Sequence, residues 1–437
     1  MKRIVLGVLA LLAVCLQAGG GAFAATPPIP YVIVDPTFAA LPGIPSQQYW
    51  GVEAGAAYRI EVPQPWNGKL VLYAHGFRGN GPVLFVTNPV IREFLLRHGY
   101  AWAASSYSKN FYDVRQGVLD THALNAVFQK RVGKTPSSTY ITGHSMGGHI
   151  TGVLIERYPH DYVGALPMCG VMGDVALFDY FLDYNLVAQD LASVKAVFPP
   201  PATYLTTVVP QVMAGLGGAA FPATLNEQGE QLRAVIEQRS GGTRLNFKES
   251  FEAWADFLFT LYGDGKLSGI ASGNIATNLG TTYRFNQGYQ DADRKADEHA
   301  LNRTVLRVAP DLMARFFHGP DDLENIPPIE ADFQIPVLTM HTIGDLFVPF
   351  SMEQIYARRA KRTGRSDLLV QRAYRDLNHC GFAPQEEARA FADLVNWVEN
   401  EVEPAGDAIL DNEKVADPQF GCRFTQSTRP PYPACAP

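Results

Sequence analysis

Thr142-Gly143-His144-Ser145-Met146-Gly147-Gly148 constrains this chain more than any other stretch. It fits the pattern Gly-x-Ser-x-Gly. Before it, Ser138-Thr139-Tyr140-Ile141-Thr142 is β-branched and aromatic and reads as a short buried strand. After it, His149 to Arg157 reads as a helix that stops before Pro159. A strand that turns this sharply into a helix forces Ser145 into a strained backbone conformation and exposes its hydroxyl. Gly143 and Gly147 suit the turn because a Cβ at either position would collide with the neighbouring strand or helix. The flanking strand and helix set this match apart from chance occurrences of a five-residue pattern.

The rest of the chain alternates around that turn. Residues 26–50 are Pro-rich and uneven, and are expected to wrap the surface. Ala57 to Val62 alternates like an edge strand, and Pro63 to Gly68 is turn chemistry. Lys69 to Ala74 reads as a buried strand running into His75-Gly76-Phe77. Asn88-Pro89 is expected to open a helix with Val90, Phe94 and Leu95 inward, ended by Gly99. Ala101 to Tyr107 is the next strand. Asp113 to Arg131 is the next helix, with Leu124, Val127 and Phe128 inward and Gly133 as its stop. Tyr162 to Met168 adds a strand after the serine turn. Strands and helices alternating over short links imply parallel strands with helical crossovers.

The alternation breaks over residues 171–330. Aromatic helical pieces carry Phe178, Phe181 and Tyr184 in one, and Trp254, Phe257 and Tyr262 in another, with Pro199-Pro200-Pro201 between them. Ile335 to Met340 and Leu368 to Tyr374 restore the strand pattern. A last helix from Pro384 presents Phe391, Leu394, Val395 and Val398 at helical spacing. The expected division is a signal peptide at 1–24 and core halves at 25–170 and 331–403. A mainly helical lid fills 171–330, and a Pro-rich tail runs over 404–437.

With 437 residues, 47% of them hydrophobic, the chain can bury a large core. A net charge of −7 without basic runs argues against nucleic acid or an anionic membrane as partner. Met1-Lys2-Arg3, the apolar run Ile4 to Leu16 and Ala22-Phe23-Ala24 read as an export signal cleaved near Ala25. The expected location is periplasmic or extracellular. A lipoprotein anchored at Cys15 is the competing reading. The apolar run is too short to span a bilayer, and no later segment is long enough.

Four cysteines follow the signal: Cys169, Cys380, Cys422 and Cys435. In an oxidising compartment they suggest two disulfides, with three pairings open. Cys422 and Cys435 share the tail and suit a local bridge, which leaves Cys169 with Cys380. CxxC spacing is absent and no His clusters with Cys or carboxylates, so no structural zinc and no other cofactor is implied.

A serine hydroxyl attacks only when a base takes its proton, and that base needs an acid to orient it. Gly344-Asp345 lies just past one late strand, and Asn378-His379-Cys380-Gly381 just past the next. The spacing leaves room for the one helix and one strand between them. Asp174 and Asp376 are the competing acids. His75 reads as a brace for its loop and His341 as a strand end, with His144 and His149 turned away or packed.

Gly143-His144-Ser145-Met146-Gly147-Gly148, Gly344-Asp345 and Asn378-His379 together resemble the serine α/β-hydrolases over residues 55–170 and 331–402. That resemblance implies a mostly parallel sheet flanked by helices, with Ser145 as nucleophile, His379 as general base and then acid, and Asp345 as its partner. It also implies an oxyanion hole from the backbone N–H groups of Met146 and Phe77. Cys380 directly after the histidine resembles tannases and feruloyl esterases, which pair that cysteine with one before the serine, where this chain has His144. The histidine loop curls back toward the strand ending at Cys169, so a bridge there would hold the base.

The expected reaction is hydrolysis of a small-molecule or polymeric carboxylic ester through an acyl-enzyme. An exported peptidase or amidase with the same residues is the alternative, and a non-catalytic binding protein a third. An aminopeptidase would need acids to hold the substrate amine; Glu227, Glu230, Asp291, Asp293, Asp297 and Glu298 are the available ones.

Overall fold

The computed structural model describes residues 30–265, 271, 273–285, 292–316, 323–324 and 326–435. The export-signal reading, Cys15 and Asp291 lie outside the described residues, as does the side chain of Asp293.

Among the described residues ten strands form, β1 (Val32–Ile33), β2 (Ser46–Glu53), β3 (Ala56–Pro63), β4 (Lys69–Ala74), β5 (Val83–Leu84), β6 (Ala101–Ser105), β7 (Ser138–His144), β8 (Gly164–Met168), β9 (Val337–Thr342) and β10 (Leu369–Tyr374). Eight of them make one sheet in the order β10-β9-β8-β7-β4-β6-β3-β2. From β10 to β6 every pairing is parallel; β3 and β2 join antiparallel at the other end. Counted along the chain, the sheet strands run 1-2-4-3-5-6-7-8 in space.

Helices cover both faces, as a parallel sheet requires. On one face lie α2 (Val114–Val132) and α3 (Met146–Arg157); on the other lie α1 (Arg92–Arg97) and α11 (Pro384–Asn400). Successive residues of β4 divide between the faces: Leu70 and Leu72 pack with Val118, Phe128 and Ile150, while Val71 and Tyr73 join the layer of Leu95, Phe391 and Leu394. Between β8 and β9 the described residues pass through α4 (Ala176–Leu191), α5 (Val209–Leu216), α6 (Glu227–Arg239), α7 (Phe247–Phe259), α8 (Ala292–Thr304) and α9 (Leu312–Arg315). After β9 comes α10 (Ser351–Thr363), and α12 (Asn412–Ala416) precedes the tail. The tail docks on the start of α11: Glu386 accepts from Gln426 N at 2.8 Å and pairs with Arg429 at 2.5 Å.

Three local expectations need correction. Residues 46–53 are a strand rather than surface wrapping, so β2 is the edge and β3 is interior. Polar Ser46-Gln47-Gln48 hid it: Ser46 Oγ bonds Glu61 Oε1 at 2.8 Å, a partner on β3. The helix expected from Asn88-Pro89 starts at Arg92, because the Asn88 side chain accepts from Arg59 at 3.0 Å instead of capping. Val90 consequently faces solvent. Tyr262 falls beyond α7, which ends at Phe259.

Candidate active site

The step from β7 to α3 is a single residue, Ser145, at φ 58° and ψ −120°. An L-residue held there costs about 1–3 kcal/mol and persists only where its surroundings leave no alternative. Those surroundings are backbone. A Cβ on Gly143 would run into Gly147 O, and one on Gly147 into Ala74 O. Ser145 N donates to Met168 O at 2.9 Å, which ties the turn to β8. Met146 follows as the first residue of α3. The His75-Gly76-Phe77 loop lies against the serine, for a Cβ on Gly76 would sit 3.1 Å from Ser145 Cβ and 3.6 Å from Oγ.

His379 stands in the loop after β10. Its Nδ1 is 2.5 Å from Asp345 Oδ2. Asp345 is fully buried, and its other oxygen accepts the backbone N–H of Phe347 at 2.9 Å and of Val348 at 3.0 Å. Both carboxylate oxygens are thereby satisfied, one by the loop that carries the residue and one by the imidazole. With Nδ1 as donor to Asp345, Nε2 is an acceptor, and among the described residues nothing hydrogen-bonds it.

Two links bring His379 to the serine. Cys380 is disulfide-bonded to Cys169, the residue after Met168, whose carbonyl holds Ser145 N. Phe347, whose ring lies edge-on to the imidazole at 5.1 Å, shares a cavity wall with Ser145. That cavity, about 300 Å³, is lined also by Phe77, Tyr112, Val171, Leu177, Phe178 and Phe181. Among the described residues no lining residue is charged, and the hydroxyl-bearing ones other than Ser145 are engaged elsewhere: Tyr112 bonds His149, Tyr262 donates to Val197 O, and Thr260 donates to Phe257 O. The second disulfide, Cys422–Cys435, closes the tail. Cys169, His379 and Cys380 cluster within 4.8 Å, but sulfurs already bonded to each other are not thiolate ligands, so this grouping does not fit a metal.

The competing residues go elsewhere. Asp174 pairs with Arg359 at 2.5 Å, and Asp376 accepts from Asn378 N at 2.7 Å. His75 is buried and stacked on Tyr107 at 3.9 Å between ring centres; burial, with the charge of Arg78, pushes its pKa down to about 3 and keeps it neutral. His144 faces Glu387 at 3.1 Å, and His149 is packed between Tyr112 and Pro327 O. His341 lies behind Asp345, 4.0 Å from its carboxylate and 3.4 Å from that of Glu353. Burial opposes its protonation, but those carboxylates outweigh burial and hold its pKa above the ordinary value. Of the acids considered for amine binding, Glu227 and Glu230 are exposed on α6, while Asp297 and Glu298 bond Gln231 and Phe285 N. None of these four lines the cavity. Sequence reasoning named Tyr262 but missed Tyr112, Phe347, Thr260, Leu261 and Gly263, which carry no motif and meet the serine only through the fold.

No protein-family model matches the chain. An o-phthalyl amidase from Xanthobacter agilis is 21% identical over 390 residues, covering 77% of this chain and 83% of the relative. Among solved structures, feruloyl esterase B from Aspergillus oryzae is 12% identical with a TM-score of 0.43, over 81% of this chain and 80% of its own. The acylaminoacyl peptidase of Pyrococcus horikoshii is 9% identical with a TM-score of 0.39, over 86% of this chain. This chain spans only 44% of that peptidase's length. The strand order, the strained serine between β7 and α3, and the Asp345 and His379 loops after the last two strands are those of the α/β-hydrolase fold.

Proposed function

We propose that this protein hydrolyses carboxylic esters through an acyl-enzyme on Ser145. The observation that carries the reading is the Asp345–His379 bond, which leaves Nε2 as an acceptor, with Phe347 packed between the imidazole and the cavity that Ser145 lines. His379 takes the Ser145 proton as the hydroxyl attacks the carbonyl, then gives it to the leaving alcohol; water repeats the cycle to release the acid. Asp345 fixes the tautomer and stabilises the imidazolium. The N–H groups of Met146 and Phe77 receive the oxyanion, each worth about 10²–10³ in rate. The uncharged, aromatic cavity suits an apolar substituent without a formal charge, because desolvating a carboxylate or ammonium there costs several kcal/mol. The helices between β8 and β9 roof that cavity as a lid. The two disulfides support export of the mature chain.

Amide hydrolysis by the same residues is the second reading, favoured by the amidase relative. Purified protein is assayed with p-nitrophenyl esters of rising acyl length and with acyl p-nitroanilides, with Ser145→Ala as control. Ester turnover lost in the variant, with anilides inert, is the expected result. Anilide turnover at comparable kcat/KM would shift the assignment to an amidase. A rate unchanged in Ser145→Ala would end both readings.

A further inference from the structure

Two side chains from the segment between β8 and β9 reach the loops that carry the acid and the base. Arg244 Nε donates to Ile343 O at 2.6 Å, two residues before Asp345. Trp254 Nε1 donates to Leu377 O at 2.8 Å, two residues before His379. Each bond holds a peptide at the root of its loop.

Both donors are themselves fixed. Arg244 is buried, and its remaining nitrogens bond Gly242 O at 2.8 Å and Ser240 Oγ at 3.0 Å. Trp254 sits in α7, with its ring near-parallel to Phe347 at 6.3 Å. Phe347 in turn meets the His379 ring, and its N–H is one of the two that bind Asp345. The tie is reciprocal: α10 donates back through Ser351 N to Ser240 O at 2.9 Å and through Gln354 Nε2 to Gly241 O at 3.0 Å. Residues 240–254 thus form a fixed base against the core, and any opening of the lid must take place elsewhere in it.

We propose, on the basis of the hydrolase reading above, that Arg244 and Trp254 are positioning residues that set the placement of Asp345 and His379 relative to Ser145. A reacting group displaced by about 1 Å loses up to about 10² in rate, so two bonds at the loop roots can act on catalysis without touching substrate.

Trp254→Phe keeps an aromatic ring beside Phe347 and removes only the N–H donor. The expected result is a kcat lowered about 5- to 10-fold, in line with one lost hydrogen bond, with KM unchanged. Inactivation of Ser145 by a fluorophosphonate should slow by the same factor, with Tm within about 2 °C of wild type. Arg244→Gln should lower kcat further and Arg244→Lys should restore part of it, since a lysine can still donate to Ile343 O. Should the Arg244 variants fail to fold, Trp254→Phe decides alone. An active wild type with kcat and inactivation rate unchanged in Trp254→Phe would overturn the positioning role while leaving the hydrolase reading intact. A wild type inert to both esters and fluorophosphonate would overturn the two together.

Discussion

Ser145 is held by backbone packed on backbone, whereas His379 is held by bonds and side chains drawn from distant parts of the chain. On the serine side, Gly143, Gly147 and the carbonyl of Ala74 leave no room for another conformation. On the histidine side, Asp345 comes from the loop after β9, Cys169 from the end of β8 and the Trp254 N–H from α7. The first arrangement is encoded within a few residues. The second exists only once the sheet has closed and the helices between β8 and β9 have docked.

That contrast sets an order of expected effects. The largest belongs to Gly147→Ala, because the added Cβ meets the carbonyl of Ala74 rather than a side chain that could yield. Loss of folded protein, or a kcat/KM reduced by more than about 10³ with a stability cost above about 4 kcal/mol, is expected in melting and ester assays. A variant that melts and turns over like wild type would show that the serine turn tolerates side chains.

Next comes the Cys169→Ser/Cys380→Ser double variant. This bridge closes a separation of 211 residues, so its loss should cost about 3–5 kcal/mol and lower kcat about tenfold. The Cys422→Ser/Cys435→Ser control closes only 13 residues and should cost about 2–3 kcal/mol without changing kcat. Equal kcat in both double variants would remove the special role of the first bridge.

The smallest effect is pH-dependent and lies where the two sides meet. Glu156, on the serine's helix α3, accepts from Glu330 N at 2.9 Å and Ala331 N at 2.7 Å, where the chain returns toward β9. Burial raises its pKa from 4.5 to about 7, against the pull of those two bonds. A carboxyl raised in the folded state contributes stability that is complete below its unfolded pKa and lost as pH rises through the folded one. In Glu156→Gln that loss disappears, so Tm of the variant relative to wild type should rise by about 2 °C between pH 4.5 and pH 8. A difference independent of pH would show that Glu156 does not titrate in that window.

The same contrast explains how far the sequence could be read. The serine turn, β4, α2 and α11 announce themselves through local pattern; β4 and α2 form within a residue of their expected bounds, α11 starts at the expected Pro384, and α3 starts at Met146 rather than His149. Asp345 and His379 were legible as turn chemistry after late strands, and the structure joins them. Strand β2 was not, because its amide-rich start lacks the apolar alternation that marks a half-buried strand. The contacts of Tyr112, Phe347, Arg244 and Trp254 were not legible either. Their partners lie tens to more than a hundred residues away in the chain, and periodicity carries no information about such contacts.

Reaction of the wild type and His379→Ala with a fluorophosphonate, read by intact mass and peptide mapping, tests the assignment of Ser145 and its base most directly. One adduct on Ser145 in the wild type, forming at least about 10³-fold more slowly without the imidazole, is the expected result. No adduct, an adduct on another residue, or a rate indifferent to His379 would contradict it.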